Sequence, residues 1–111
     1  MKVLDLFCGM GGLSLGFARA GFTVKGLDAD PHCVSTFRHA VGEAERFRLG
    51  AEIPSEAADI LLGGPPCRPW SRLNVQKARL EHPDRPLVKA FTDALLALEP
   101  KSFLLENVPL L

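Results

Sequence analysis

The stretch KVLDLFCGMGG, residues 2–12, decides the fold class of this 111-residue chain. Residues 2–7 form a short, mainly apolar segment, which is typical of a buried β-strand. A glycine-rich segment follows at 9–12, and glycines between a strand and a helix allow a ligand to approach the backbone without meeting a Cβ. No Gly-Lys-Ser/Thr follows, so the segment is not a P-loop. A ligand-binding turn is favoured over a tight turn without a ligand.

Strands and helices alternate along the rest of the chain. Gly21 follows the first helical pattern, in the place where a glycine ends a helix. Asp30 and Pro31 suit the N-cap and the first turn of a second helix. Residues 42–57 are polar and predict at most a short strand near Phe47. The other elements predicted are strands at 2–7, 22–27, 60–62 and 102–105, and helices at 13–20, 31–40 and 86–98.

This order predicts an α/β fold in which a parallel sheet carries helices on both faces. In the last helix, the spacing of Leu87, Phe91, Leu95 and Leu98 predicts the face that packs on the sheet. Each unusual cluster of residues falls at the carboxyl end of a predicted strand, where open α/β sheets place their ligands. Residues 65–86 contain five prolines and predict one long loop, which in a compact domain is usually functional or mobile.

Composition limits the class of protein. The formal net charge is zero, whereas a free-standing DNA-binding domain usually has a basic face. No apolar run is long enough to span a bilayer, and no signal peptide opens the chain. Cys8, Cys33 and Cys67 fit neither a disulfide framework nor a zinc site. We therefore expect one domain in a reducing, cytoplasmic compartment.

Asp28 lies roughly 20 residues after the glycine-rich segment, where an acid can accept hydrogen bonds from both hydroxyls of a ribose. An ordinary helix cap is the alternative, although Asp30 suits that role better. Together, the glycines and Asp28 predict a cofactor that contains adenosine. Nicotinamide and methionine versions of such a cofactor both remain open at this point.

Cys67 lies in the segment Gly-Gly-Pro-Pro-Cys-Arg-Pro-Trp-Ser. A cysteine between prolines has few backbone states, so its sulfur is positioned before any substrate binds. Arg68 and Arg72 favour the thiolate, which is the reactive form. A buried structural role suits Cys8 and Cys33 better. We therefore predict that Cys67 is a nucleophile.

Glu106 ends the last predicted strand in the sequence Glu-Asn-Val. Neighbouring parallel strands lie about 5 Å apart, so this carboxylate can lie close to Cys67. A carboxyl group in a partly dry cleft can have a raised pKa and donate a proton. A solvated acid at a strand end is the alternative.

Three of these segments, in this order, resemble motifs of the DNA cytosine-C5 methyltransferases. Residues 5–12 are similar to the first motif of that family, the S-adenosylmethionine loop. Pro66-Cys67 is similar to the nucleophile motif, and residues 106–108 to the glutamate motif. Asp28 stands where the family has a ribose-binding acid, more often glutamate. The resemblance covers almost the whole chain and implies the Rossmann-like fold of S-adenosylmethionine-dependent methyltransferases.

The resemblance also implies a mechanism. The target cytosine is flipped out of duplex DNA, Cys67 attacks its C6 to form a covalent adduct, and Glu106 hydrogen-bonds N3 and the exocyclic amine. The methyl group passes from the cofactor to C5, after which the C5 proton and Cys67 leave. Arg68, Ser71 and Arg72 contact the DNA. No metal is implied, and the cofactor-binding residues implied are Phe7, Gly9, Met10, Gly11, Gly12, Asp28 and Leu87.

The chain departs from the family pattern in three ways. Arg68 follows the nucleophile where glutamine is usual, and residues 42–53 lack the aspartate that contacts the adenine amine. The later arginine-bearing motif, the target-recognition region and the final cofactor-closing helix have no counterpart. We therefore expect residues 1–111 to be the N-terminal part of the catalytic domain. It would act with a C-terminal half in cis or in trans, and would leave a sheet edge open around Leu104 and Leu105.

Three alternatives stay open. A tRNA cytosine-C5 methyltransferase shares these motifs, and a non-catalytic partner subunit would explain the missing regions. A nicotinamide oxidoreductase is less favoured, because hydride transfer has no need of the Pro-Pro-Cys segment. The resemblance also implies a link to restriction–modification and, in a prokaryote, a location at the nucleoid.

Overall fold

The computed structural model describes residues 1–66 and 86–107, which form a five-stranded sheet. Its elements are β1 (Lys2–Leu6), α1 (Gly12–Arg19), β2 (Thr23–Asp28), α2 (Pro31–Ala40), β3 (Glu43–Arg46), β4 (Ile60–Gly63), α3 (Pro86–Leu98) and β5 (Ser102–Leu105). All strand pairs are parallel, in the order β3-β2-β1-β4-β5. The strand order reverses beside β1, and an open α/β sheet binds ligands in the crevice at such a point.

The register brings the carboxyl ends of the central strands to one edge of the sheet. Leu6 of β1 pairs with Leu27 of β2 on one side and with Gly63 of β4 on the other. Gly63 in turn pairs with Leu105 of β5. Residues that follow these strands therefore meet at the same edge, although they are far apart in sequence.

Alternate residues of β1 enter two separate cores, as the two-residue period of a strand requires. Leu4 and Leu6 pack in the core beneath α3, which also contains the buried Phe91. Val3 belongs to the core on the opposite face, with Phe37 of α2. Helices thus cover both faces of the sheet, which confirms the predicted architecture.

Two strand glycines allow close packing between the layers. A Cβ added at Gly63 would lie 2.3 Å from the ring of Phe91, and one added at Gly26 would lie 2.7 Å from the sulfur of Cys8. Real Cβ atoms do not approach other atoms so closely. The close packing of Phe91 on β4 and of Cys8 on β2 therefore requires glycine at these two positions.

Helix ends agree with the sequence signals. The Asp30 side chain accepts a hydrogen bond of 2.8 Å from the His32 backbone N–H, which confirms it as the N-cap of α2. Gly21 has a φ of +95°, and the Phe22 N–H donates to the Phe17 carbonyl at 3.1 Å. This is the left-handed glycine ending expected after α1.

The predicted and observed elements differ at a few boundaries. β1 ends at Leu6 rather than Phe7, because Phe7 has a left-handed backbone with φ +60°. The polar segment contains a strand, β3, that ends just before Phe47. The long proline-rich loop lies largely outside the described residues. Within the part of the chain that is described, no helix is long and apolar enough to cross a membrane.

Candidate functional site

A cleft of about 490 Å³ opens at the carboxyl edge of the sheet. Its volume lies within the range of small-molecule sites, and its walls combine apolar groups with a few polar ones, as such sites do. The residues that line it lie at or after several strand ends or, for Leu87, at the start of α3: Phe7, Asp28, Ala29, Phe47, Arg48, Leu49, Gly64, Pro66 and Leu87. Phe7, Asp28 and Leu87 were predicted to bind a cofactor, and the structure brings these three together.

The glycine bend, residues 9–12, lies next to this cleft. A Cβ at Gly9 or Gly12 would meet no atom within 4 Å, so the backbone is open there. Gly11 instead faces inward, because a Cβ at its position would lie 2.5 Å from a methyl group of Val41. Met10 is exposed. The bend is therefore not filled by packed hydrophobic groups, and one side of its backbone is free to receive a ligand.

Phe7 has an unusual backbone. Its φ of +60° is a left-handed conformation that bulky residues rarely adopt. Such a conformation costs about 1–3 kcal/mol and persists only where the surroundings enforce it. Here the next residue, Cys8, donates its N–H to the Leu27 carbonyl at 3.1 Å, which ties the chain to β2. The turn directs the half-buried Phe7 side chain to the cleft wall.

Asp28 joins the cleft to the glycine bend. One carboxylate oxygen accepts a hydrogen bond of 2.9 Å from the Gly9 backbone N–H, and the other accepts one of 2.9 Å from the Asp30 N–H. Each carboxylate oxygen has a second lone pair. Asp28 can therefore hold the bend and still accept hydrogen bonds from a ligand in the cleft.

A buried polar pair lies below the bend and was not predicted from the sequence. The hydroxyl of Ser14, in α1, donates a short hydrogen bond to the carboxylate of Asp5, in β1. Asp5 is 2% exposed and Ser14 is fully buried. Burial raises the pKa of Asp5 to about 6, the Ser14 hydroxyl lowers it, and Asp28 adds a further upward effect. A charged residue in the middle of an apolar strand was the available signal.

Glu106 lies beside the segment that leads to Cys67. Its N–H donates to the Gly63 carbonyl at 2.9 Å, and a Cβ added at Gly64 would lie 3.3 Å from a carboxylate oxygen of Glu106. The Asn107 amide also donates to the Pro65 carbonyl at 3.3 Å. Glu106 is exposed in this structure, so the described residues do not form the partly dry surroundings expected for it.

The two described cysteines do not suit nucleophilic chemistry. Cys8 is buried, and burial raises the pKa of its thiol to about 12, with Asp5 and Asp28 adding to the rise. Cys33 is half-buried rather than buried, and its pKa is also raised, mainly by desolvation. A thiol with a raised pKa holds little thiolate at neutral pH. Burial of Cys8 agrees with the buried structural role predicted for it, whereas Cys33 is less buried than predicted.

The polar segment at residues 42–57, which follows α2, contributes more to the cleft than its sequence suggested. The Phe47 N–H donates to the Asp28 carbonyl at 2.8 Å, which holds this segment against the end of β2. Phe47, Arg48 and Leu49 then line the cleft, where the sequence lacked the expected aspartate. Phe47 thus adds a second aromatic ring to the cleft that Phe7 already lines. No single residue of the segment 42–57 predicts this contribution from the sequence.

Four predicted site residues lie outside the described part of the chain: Cys67, Arg68, Ser71 and Arg72. Their assignments stay predictions from sequence. Within residues 1–66 and 86–107, no three His, Cys, Asp or Glu side chains are grouped so as to hold a metal ion.

The cleft and the bend fit an adenosine-containing cofactor. Two phenylalanine rings and the side chains of Leu49 and Leu87 offer apolar contacts to a heteroaromatic base. Asp28 offers acceptors for hydroxyl groups. The open backbone at the bend leaves room for the rest of such a molecule.

Comparison with known sequences agrees with this fit. The family model described as C-5 cytosine-specific DNA methylase matches residues 1–111. The Type II methyltransferase M.AplI of Arthrospira platensis is 33% identical over 111 residues, which cover 97% of this chain and 31% of that protein. The Type II methyltransferase M.HgiGI of Herpetosiphon aurantiacus is 32% identical over 116 residues, covering 97% of this chain and 90% of that protein. The chain thus spans about a third of the first relative and most of the second.

A solved structure supports the fold independently. The tRNA (uracil-54, C5)-methyltransferase of Pyrococcus abyssi, in complex with S-adenosyl-L-homocysteine, superposes with a TM-score of 0.55 at 24% identity. The match covers 83% of this chain and 26% of that protein. The likeness places the five-stranded sheet among the Rossmann-like methyltransferase folds.

Proposed function

The chain belongs to the C-5 cytosine-specific DNA methylase family, and we propose that it forms the cofactor-binding and nucleophile-bearing part of an enzyme that methylates C5 of cytosine in DNA. One observation carries the proposal. The glycine bend after β1, Asp28 at the end of β2 and Glu106 after β5 lie along the same edge of the sheet. The proposed cofactor contacts and the proposed substrate-binding acid would thus lie along one edge of the sheet.

S-adenosylmethionine, when bound, supplies an electrophilic methyl group. The cleft residues Phe7, Phe47 and Leu87 would hold the adenine, and Asp28 would accept hydrogen bonds from the ribose. The glycine bend would receive the methionine portion, because its backbone is open at Gly9.

The substrate chemistry is assigned to Cys67 and Glu106. The Cys67 thiolate adds to C6 of a flipped cytosine, and the electron pair of the C5–C6 bond makes C5 nucleophilic. Glu106 hydrogen-bonds N3 and the exocyclic amine, which stabilises the charge that develops on the ring. After C5 has gained its methyl group, loss of the C5 proton expels Cys67 as a thiolate. The neighbouring basic residues Arg68 and Arg72, with Ser71, would bind the DNA backbone.

A partner portion of the methyltransferase would cover β5. The other sheet edge, β3, carries the exposed charges Glu43, Glu45 and Arg46, which is how natural sheets protect a free edge. β5 carries Phe103 and Leu104 instead, 55% and 44% exposed. An apolar edge of this kind favours pairing with a further strand, supplied by the C-terminal half in cis or in trans.

Substitution at β5 tests this part of the proposal. Leu104→Lys places a charge in the expected interface and should abolish association with a C-terminal half in gel filtration. Ile53→Lys, at a similarly exposed position in a loop, is the control and should leave association unchanged. Equal association of both variants would contradict a docking surface at β5.

Covalent trapping tests the chemistry. Duplex DNA with 5-fluorocytosine at the target has no C5 proton to lose, so the chain together with its C-terminal half should stay attached through Cys67. Cys67→Ala should abolish the adduct, whereas Cys33→Ala should keep it. An adduct that persists in Cys67→Ala would overturn the assignment. Methyl transfer to tRNA but not to DNA would favour the tRNA enzyme.

A further inference from the structure

We propose that Asp5 and Asp28 are positioning residues that hold the glycine bend from both ends in the shape that receives the methionine portion of the cofactor. The inference rests on the proposed function, because it concerns the same cofactor site. It adds a role to Asp28 beyond ribose binding, and it assigns a role to the buried pair of Asp5 and Ser14.

The first end of the bend is held by Asp28. Its carboxylate accepts the Gly9 N–H at 2.9 Å with one oxygen and the Asp30 N–H at 2.9 Å with the other. These bonds join the start of the bend to the turn that leads into α2. Gly9 has a φ of +55°, one of several conformations open to glycine, and the hydrogen bond to Asp28 helps to fix it.

The second end is held by Asp5 through Ser14. Ser14 lies in the first turn of α1, directly after the bend, and its hydroxyl donates to the Asp5 carboxylate in the central strand. α1 has no side-chain hydrogen bond at its N-cap, Gly11. The buried bond to Asp5 is therefore a side-chain contact that ties the first turn of this helix to β1.

These two anchors are expected to act on one portion of the ligand. None of residues 9–12 lines the cleft that fits the adenosine. Loosening the bend should therefore weaken binding of the amino-acid portion and leave the adenosine portion unaffected. Because Ser14 is fully buried, it cannot touch the ligand, so any effect of its substitution must pass through the bend.

Two ligands separate these portions. S-adenosylhomocysteine contains both, whereas methylthioadenosine contains the adenosine and the sulfur but lacks the amino acid. Titration calorimetry on the full chain should show that Ser14→Ala weakens S-adenosylhomocysteine about tenfold, the effect of roughly one lost hydrogen bond. The affinity for methylthioadenosine should change by less than about twofold, which counts as unaltered binding beside a tenfold effect. Ser35→Ala, an exposed serine of α2, is the matched control and should change neither.

Two further variants guard against a purely structural effect. Asp5→Asn keeps an oxygen that can accept from Ser14, so it should preserve the ratio of the two affinities. The single side-chain oxygen of Asp28→Asn cannot replace both carboxylate oxygens that accept from the Gly9 and Asp30 N–H groups. This variant should therefore weaken the binding of both ligands, and that of S-adenosylhomocysteine more. Because Asp28 is only half-buried, Asp28→Asn remains informative if Ser14→Ala does not fold.

Each outcome decides the matter. Equal losses for both ligands in Ser14→Ala and in Asp28→Asn would overturn the inference, since a folding defect or a ribose contact acts on both ligands alike. If the unsubstituted chain binds both ligands and the ratio never changes, only this inference fails. If it binds neither ligand, even with the C-terminal half added, the proposed function fails with it.

Discussion

Asp5→Asn should make the chain more stable at neutral pH, although it removes a buried hydrogen-bonded charge. Burial raises the pKa of Asp5 from 3.8 to about 6, more than the Ser14 hydroxyl lowers it. In the unfolded chain the carboxyl returns to its ordinary value. The folded state therefore binds the Asp5 proton more tightly than the unfolded state does, and ionisation of Asp5 opposes folding.

The sign and the size of the change in unfolding free energy follow from the difference in the Asp5 pKa between the folded and unfolded chains. The stabilising effect of this group is complete only well below its ordinary pKa of 3.8 and is lost as the pH rises through about 6. A shift of roughly two pKa units corresponds to about 3 kcal/mol, of which about 2 kcal/mol is lost between pH 4 and pH 8. Asparagine has nearly the same shape and no charge at any pH. The unfolding free energy of Asp5→Asn minus that of the parent should therefore rise by about 2 kcal/mol across this range.

Urea denaturation of the two chains at several pH values measures this difference. Asp30→Asn is the opposing control, because the His32 N–H lowers the pKa of the exposed Asp30. Its carboxylate stabilises the fold above its ordinary pKa, so its loss should be felt at neutral pH and fade in acid. A difference between Asp5→Asn and the parent that stays constant with pH, or falls as the pH rises, would refute this account of Asp5.

Four further substitutions test the packing around the site. Gly11→Ala should lower the unfolding free energy measured by urea denaturation by about 2–5 kcal/mol. An alanine at the Gly11 φ of +100° is strained, and its Cβ would lie 2.5 Å from a methyl group of Val41. Gly12→Ala, which meets no atom within 4 Å, should be neutral or slightly stabilising; similar costs for both would contradict the inward orientation of Gly11. Gly63→Ala should cost about 1–3 kcal/mol by overpacking against Phe91, and Phe91→Leu should recover part of that loss. No recovery would argue against contact between β4 and α3.

The fold was predictable because its signals are local and periodic. The apolar strand at β1, the N-cap Asp30 and the glycine ending after α1 each appear in the sequence within a few residues. Their alternation was enough to predict a parallel sheet with helices on both faces. β3 was harder to place, because an edge strand with exposed Glu43, Glu45 and Arg46 has little of the apolar pattern that marks a strand.

The candidate site was predictable only in part. Glycines, Asp28 and Glu106 stand at strand ends, and parallel strands bring such ends together. The bond between Ser14 and Asp5 depends instead on how α1 lies over β1. The left-handed backbone of Phe7 is likewise set by its hydrogen-bonded neighbours rather than by its own preference. Cys67 carries the strongest sequence signal of all, and its role stays a prediction.

The most direct test asks where the cofactor binds. Backbone amide resonances of the chain can be followed by NMR while S-adenosylhomocysteine is added. The account predicts the largest shifts around the cleft and bend, at Phe7, Gly9, Asp28 and Leu49. Shifts confined to the opposite edge of the sheet, where Lys2 lines a small cavity of about 60 Å³, or no shifts at saturating ligand, would contradict it.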